Sequence, residues 1–333
     1  GPVGSYIVRR FMYMLLLIAL TTLVSFAIIV LPPGDYLTSY VSQLEAQGGD
    51  VTDDQIASLR AAYGLGDPEY VQYIKWMRGL VTEGDLGRSF AWRAPVSEVI
   101  LDRLPMTLVT SLGSTLVVYL IAIPIGIYAA VKQYSIGDYI ATFIGFIGLA
   151  VPNFLLGLVA MMLFYKWFGI SVAGLYSPEY QSAPWSWAKL MDLLAHLPVP
   201  LFVIGIAGTA SIIRVMRATL LDELNQPYVE TARAKGVSEV RLLLRYPVRV
   251  ALNPIASTIG WLLPAMFSGD AITAIVLNLP TIGPVLLQSL LTEDMYLAAG
   301  IVLILTVLTL IGTFISDLLL MWIDPRIRVE RGQ

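Results

Sequence analysis

The stretch from Gln226 to Gly236 combines small and charged side chains in a pattern that suits contact with another protein. Pro227 fits the first turn of a helix, and Gly236 fits the left-handed residue that follows one. Small side chains let a partner backbone approach closely, and charged ones anchor its rim. The small residues are Thr231, Ala232 and Ala234, and the charged residues are Glu230, Arg233 and Lys235. The pattern predicts a short, rigid helix that transmits motion to a soluble partner. The alternative is a solvated basic loop that only orients the chain in a membrane.

Enzymatic chemistry has little support in the sequence. The 333 residues include no cysteine and a single histidine, His196, so disulfides, thiol catalysis and cysteine-ligated metal sites are excluded. Ser257 or Ser268 could pair with His196 as nucleophile and base, but no motif supports either pairing. The chain has no Gly-Lys dipeptide and therefore no phosphate-binding loop of the G-x-x-x-x-G-K-[ST] type. We expect no catalytic residue, metal site or cofactor in this chain, and any energy from ATP must come through a partner.

The composition excludes an ordinary soluble domain. Hydrophobic residues make up 57% and charged residues only 14%, whereas a soluble domain has about 25% charged residues. The net charge is −3, and no basic stripe marks a nucleic-acid surface. A polytopic membrane protein in a lipid bilayer is the better interpretation.

Six apolar segments are long enough to cross a bilayer. Pro124, Pro152 and Pro264 lie inside three of them, which favours bent helices packed as a bundle. The predicted spans are Phe11–Leu31, Met106–Val131, Tyr139–Phe164, Leu197–Ile213 with a continuation towards Leu221, Pro254–Leu279 and Leu297–Ile323.

The distribution of Lys and Arg predicts that both termini are cytoplasmic, since basic residues in short loops stay inside. With the N-terminus inside, the short outside loops carry only Lys166 and Lys189. The inside segments carry the remaining clusters, which are Arg9 and Arg10, Lys132, Arg214, Arg217, Arg233, Lys235, Arg241, Arg245, Arg249, Arg326, Arg328 and Arg331.

Residues 32–104 are a polar, mildly acidic insert, and such long loops cross the membrane largely regardless of charge. Thr52-x-x-Gln55 predicts a capping box and a helix through Ala62. Asp67-Pro68 predicts an N-cap and first-turn proline for a helix through about Leu80. The expected organisation is therefore a first transmembrane helix in 1–31, an external subdomain in 32–104, and a five-helix core in 105–333 that contains the cytoplasmic loop 222–252.

The sequence Glu230-Thr231-Ala232-x-x-x-Gly236 resembles the E-A-A-x-x-x-G loop of the membrane subunits of bacterial ABC importers, with Thr at the second position. The longer string from Tyr228 to Gly236 is similar to that loop in the dipeptide/oligopeptide permease branch. Further matches along the chain are Tyr6-Ile7-Val8-Arg9-Arg10, Leu31-Pro32-Pro33-Gly34-Asp35, Gly64-Leu65-Gly66-Asp67-Pro68, Gln72-Tyr73, Gly84-Asp85-Leu86-Gly87-Arg88-Ser89, Arg103-Leu104-Pro105, Thr107-Leu108, His196-Leu197-Pro198, Asp317 and Asp324-Pro325-Arg326-Ile327-Arg328.

The resemblance implies an all-α, six-span permease subunit in the bacterial cytoplasmic membrane, the first of two membrane subunits. It also implies the partners: a second homologous permease, two ATPase subunits that bind ATP and Mg, and an extracytoplasmic substrate-binding protein. Residues Glu230 to Gly236 would lie in or beside the helix that couples the permease to an ATPase, and the insert 32–104 is placed to take part in docking of the binding protein.

The substrate is less constrained by the sequence. In the usual peptide-permease pattern an acidic residue precedes a Pro-Gly-x-Gly element, but here Ala274 stands at that position and Pro280-Thr281-Ile282-Gly283 replaces the element. Asp270 lies within the fifth span, where a carboxylate is either functional or hydrogen-bonded to a neighbouring helix or subunit. Peptides are the leading substrate, and oligosaccharides or another small solute are the alternative. An ATP-independent secondary transporter is a more distant one, since no internal repeat is visible.

Overall fold

Helices form most of the computed structural model, which describes residues 1–31, 36–62, 66–89, 91–268 and 271–323. Two short strands, β1 (Arg88–Ser89) and β2 (Ala94–Pro95), pair antiparallel as a hairpin. A 3₁₀ turn covers Pro178–Tyr180. The helices are α1 (Pro2–Val30), α2 (Tyr36–Ala46), α3 (Asp53–Ala62), α4 (Glu69–Glu83), α5 (Val96–Val131), α6 (Ile136–Ala150), α7 (Asn153–Phe168), α8 (Trp187–His196), α9 (Pro198–Leu224), α10 (Pro227–Ala234), α11 (Glu239–Arg245), α12 (Pro247–Ser257), α13 (Ile259–Ser268), α14 (Ala271–Val276), α15 (Ile282–Leu291) and α16 (Met295–Ile323).

Helices of membrane-spanning length confirm the predicted all-α membrane class. Four in the described ranges are long and apolar enough to cross a bilayer, namely Pro2–Val30, Val96–Val131, Trp187–Leu224 and Met295–Trp322. Two bent helix pairs bring the number to as many as six if each pair is one span. The count of six and the inside position of both termini stay predictions.

The third predicted span, Tyr139–Phe164, is not one helix. It is divided into α6 and α7, which bend by 111°. Val151 is extended, with φ −89° and ψ 130°, because the residue before a proline is pushed out of the helical region, and Pro152 then lies at the N-cap of α7. The fifth predicted span is likewise divided, with a bend of 43° between residues 239–257 and 259–267.

The chain separates into two units. In the first, from the described parts of 1–10, 108–280 and 311–333, buried side chains of α5, α9, α12 and α13 form one apolar core, with Val118, Ile212, Met216, Leu220 and Leu262 among its members. Asp317 of α16 forms an ion pair with Arg10 of α1, whose Nε lies 3.3 Å from the carboxylate.

The second unit takes in the described parts of 11–107 and 281–310. Its core gathers apolar residues of α1, α4, α5, α15 and α16, among them Phe26, Trp76, Val96, Ile282 and Leu297. The division into 1–31, 32–104 and 105–333 concerns the sides of a membrane and stays a prediction.

The two helix starts predicted in the insert have different outcomes. Thr52 and Gln55 form the capping box: the Gln55 amide donates to Thr52 Oγ1 at 3.3 Å, and the Thr52 amide donates to Gln55 Oε1 at 3.1 Å. The prediction for Asp67 was wrong, because Pro68 lies at the N-cap of α4 and the described residues include no side chain that caps this helix. The Asp67 carboxylate instead accepts from Lys75 Nζ at 2.5 Å. Helix α4 also runs three residues beyond Leu80 and ends before left-handed Gly84.

Candidate coupling site

Helix α10 has the ends that the sequence predicted. Gln226 is extended, with φ −78° and ψ 147°, and Pro227 occupies the first helical turn. Gly236 is left-handed, with φ +79°, a conformation in which a β-carbon is unfavourable. Its amide donates to the Arg233 carbonyl at 3.1 Å, and the Val237 amide donates to the Ala232 carbonyl at 3.4 Å. These two bonds form a Schellman motif, which fixes the direction of the chain where the helix ends.

One side of α10 is buried against the following helix. Val229 is fully buried and Ala232 is 7% exposed, and both pack in a small apolar cluster with Leu242 of α11. Tyr228, Val237 and Tyr246 close its edges. The sequence had placed Ala232 on the face offered to a partner, and the structure corrects this, since Ala232 faces the cluster.

The exposed side of α10 carries Glu230, Thr231 and Ala234, and the exposed Lys235 directly follows the helix. Glu230 lies four residues before Ala234 and Thr231 lies three residues before it, so these side chains lie on one side of the helix. Two side chains among them, those of Thr231 and Ala234, are small, which leaves room for a partner backbone to approach. The exposed face therefore lacks Ala232, but it carries the small and charged side chains that the sequence predicted.

Arg233 forms an ion pair within this chain, although it was predicted to anchor a partner protein. Its Nε donates to Glu239 Oε1 at 2.9 Å, and Nη2 donates to Glu239 Oε2 at 3.4 Å. Both side chains remain more than half exposed, at 53% and 70%. The ion pair therefore joins α10 to the start of α11 at the surface.

A hydrogen bond joins α10 to the end of α9. Tyr228 Oη donates to Glu223 Oε2 at 2.6 Å. Burial of the phenol and then this bond to a carboxylate raise the pKa of Tyr228, so the hydroxyl remains a donor. The hydrogen bond and the apolar cluster fix α10 relative to the two helices that flank it.

Further along α9, Arg217 forms a bidentate ion pair with Asp138 of α6, which sequence reasoning missed. Arg217 Nε and Nη2 donate to the two Asp138 oxygens at 2.9 and 2.8 Å, and the Tyr134 amide donates to the carboxylate at 2.9 Å. Asp138 is 1% exposed. The available signal was an aspartate at the border of an apolar segment, which needs a partner when buried.

Asp270, His196 and possible metal sites are the remaining points that the sequence raised. Asp270 lies outside the described residues. His196 is part-buried, and its Nδ1 lies 2.7 Å from the Asp192 carbonyl on the same helix. Within the described ranges, no group of three His, Asp or Glu side chains could hold a metal ion.

Comparison with known proteins gives the family context of this geometry. Residues 122–329 match the family described as binding-protein-dependent transport system inner membrane component, and residues 4–112 match the N-terminal region of membrane components of such systems. The chain is 35% identical to the oligopeptide transport system permease protein AppB of Bacillus subtilis (strain 168), over 97% of this chain and 99% of that protein.

Two other similar proteins also match this chain over nearly its whole length. The dipeptide transport system permease protein DppB of Escherichia coli (strain K12) is 29% identical over 93% of this chain and 94% of its own length. The peptidoglycan transport system permease protein YejB of Agrobacterium fabrum (strain C58 / ATCC 33970) is 29% identical over 98% of this chain and 99% of its own length. The resemblance read from the sequence is thereby confirmed. The chain belongs to the inner membrane components of binding-protein-dependent transport systems.

Proposed function

We propose that this chain is a permease subunit of an ATP-driven importer of peptides, coupled through α10 to separate ATPase subunits. The observation that carries the proposal is the presentation of α10. A short helix projects a face of small residues while its opposite side is fixed by Val229, Ala232 and Leu242. A rigid helix transmits a displacement that a flexible loop would absorb.

Peptide as the substrate is supported by the names of the similar oligopeptide and dipeptide permeases. The similar peptidoglycan permease favours a second candidate, an oligomer that contains sugar. The partners of the proposal are a second permease, two ATPase subunits that bind ATP and Mg, and an extracytoplasmic substrate-binding protein. Asp270 is retained as a candidate polar site within the membrane.

The coupling role is tested by Gly236→Ala in the complete importer reconstituted in proteoliposomes with its binding protein. A methyl group at Gly236 would meet no atom within 4 Å, so the substitution acts only through the left-handed backbone, at a cost of about 1 kcal/mol. Displacement of the helix end should lower ATP-driven uptake of a labelled tripeptide about fivefold, with weaker co-purification of the ATPase subunits.

Gly169→Ala is the matched control. Gly169 follows α7, is also left-handed with φ +64°, and also has no neighbour within 4 Å. It therefore imposes the same backbone strain away from α10, and uptake should stay near the wild-type rate. Equal loss of uptake in both variants would contradict the coupling role. Uptake of a labelled oligosaccharide by the wild-type importer, with no uptake of the tripeptide, would favour the second substrate class.

A further inference from the structure

Helix α11 presents an outer face made of two neighbouring rows of exposed side chains. The apolar row is Val240 and Leu244, which are 69% and 56% exposed. The basic row is Arg241 and Arg245, which are exposed as well. The members of each row are four residues apart and therefore lie on one side of the helix, and the basic row is offset by one residue, or about 100°. The outer face thus combines an apolar strip with a positively charged one.

The apolar row points away from α10. Leu242 of the same helix is 1% exposed and packs in the apolar cluster with Val229 and Ala232 of α10. Val240 and Leu244 lie two residues before and after Leu242, and two residues correspond to about 200° around a helix. The exposed face of α10 also lies opposite the cluster, so the exposed faces of the two helices look in opposite directions. A protein that contacts the exposed face of α10 therefore approaches from the other side.

The arginines of this region have no acidic partner among the described residues. The guanidinium of Arg245 lies over the ring of Tyr246, 5.9 Å from its centre. Within the same part of the chain, the side chains of Arg241 and Arg249 have no hydrogen bond or ion pair. Glu239, the acid at the start of α11, is already bound by another arginine. The positive charge of the outer face is therefore available to an anion from outside the chain.

Helix α11 leads directly into a segment that can enter the membrane. Residues 239–257 and 259–267 together are long and apolar enough to cross a bilayer, with a bend of 43° between them. The fifth predicted span begins at Pro254, five residues after Arg249, which is about 7.5 Å along a helix. The headgroup layer beside the hydrocarbon core is about 5 to 8 Å thick. This spacing places Arg249 among the headgroups, and Arg245 and Arg241 precede it at intervals of four residues.

We propose that the outer face of α11, together with Arg249, binds the anionic headgroups of phospholipids in the inner leaflet. A lipid phosphate accepts hydrogen bonds from a guanidinium fork, and the apolar row contacts the boundary of the acyl chains. This contact holds α11 against the membrane, and the cluster around Leu242 transmits the support to α10. The inference rests on the predicted cytoplasmic position of residues 222–252 and involves neither ATP nor a transported substrate.

The test measures hydrogen exchange of the backbone amides of residues 239–250 in the full chain, held in nanodiscs of phosphatidylcholine with or without phosphatidylglycerol. Phosphatidylglycerol should slow exchange about tenfold in the wild type. Salt at about 1 M should remove most of this effect, because the Debye length falls to about 3 Å. Arg241→Gln/Arg245→Gln should reduce the slowing to about twofold, whereas Arg241→Lys/Arg245→Lys, which keeps the charge, should retain most of it. Arg78→Gln, at an exposed arginine of α4, is the control and should behave as the wild type.

Three results would overturn the inference. The first is equal exchange of the wild-type amides in the two lipid mixtures, and the second is full slowing in the folded glutamine double variant. Arg241→Gln alone should give intermediate slowing, and it provides the measurement if the double variant fails to fold. The third is slowing that requires added ATPase subunits and is insensitive to phosphatidylglycerol, which would assign the face to an ATPase. Loss of the lipid effect leaves the proposed function intact, whereas absence of ATP-driven uptake would contradict that function alone.

Discussion

The ion pair between Asp138 and Arg217 illustrates what a buried charge requires of its surroundings. The carboxylate is almost inaccessible, yet it accepts two bonds from the guanidinium and one from the Tyr134 amide. A buried charge that loses its partner is far more costly than an intact pair is favourable. Substitution of either residue should therefore destabilise the contact between α6 and α9.

We expect Asp138→Asn to lower the free energy of unfolding by on the order of 3 kcal/mol, measured by thermal unfolding of the detergent-solubilised protein. Asp67→Asn is the control, because the Lys75–Asp67 pair is exposed, at 61% and 37%; such pairs contribute about 1 kcal/mol or less. Equal unfolding temperatures for the two variants would show that the buried pair is no stronger than a surface pair.

At the scale of elements, the connection between α9 and α10 rests on one hydrogen bond beside an apolar cluster. Tyr228→Phe removes the bond to Glu223 and keeps the ring in place. The loss of about 1 kcal/mol should loosen α10, so that fewer peptides are imported per ATP hydrolysed. The measurement is the ratio of tripeptide uptake to phosphate release in proteoliposomes.

Tyr246→Phe is the control for this variant, since Tyr246 packs on the same cluster and no hydrogen bond of its hydroxyl is among those described. The ratio of tripeptide uptake to phosphate release in Tyr246→Phe should match that of the wild type, and equal ratios in the two variants would contradict the role of the bond.

The raised pKa of Tyr228 favours the protonated phenol in the folded protein. The bond's contribution is therefore complete below about pH 10, the ordinary pKa of tyrosine, and is lost only as pH rises through the higher folded value.

Local features of the elements could be read from the sequence, and long-range ones could not. The capping box at Thr52 and the helix end at Gly236 depend on residues within four positions, so their side-chain types sufficed. The burial of Ala232 depends on Leu242 in another helix, and its small side chain fits an exposed or a buried position equally well. The hydrogen bond that Ser89 Oγ donates to Asp294 Oδ2 at 2.5 Å joins residues 205 positions apart, and no local spacing in the sequence connects them.

At the scale of the molecule, six crossings require that α6 and α7 together cross the bilayer despite their bend. The chain has no cysteine, so a single introduced cysteine is the only thiol in this chain. Ser182→Cys, in the exposed loop after α7, should react with an impermeant maleimide added outside, as should Thr82→Cys in the insert.

Ser238→Cys, beside the exposed face of α10, is the opposite case and should react only after permeabilisation. If α6 and α7 instead returned to the inside, Ser182→Cys would be protected from the outside reagent. External labelling of Ser238→Cys would contradict a cytoplasmic position of α10 and with it the coupling proposal.

The anchoring of the hairpin by Asp294 has a consequence for the order of synthesis. The strands of residues 88–95 leave the ribosome about 200 residues before the side chain that holds them, which at typical elongation rates is a delay of tens of seconds. During that interval Ser89 lacks its carboxylate partner, and Gln43 of α2 lacks the Thr292 carbonyl to which its side-chain amide donates at 3.0 Å. These contacts of the insert therefore form only after residues 292–294, just before the last helix, have been made, and a chimera that exchanges residues 32–104 must exchange residues 292–294 with them.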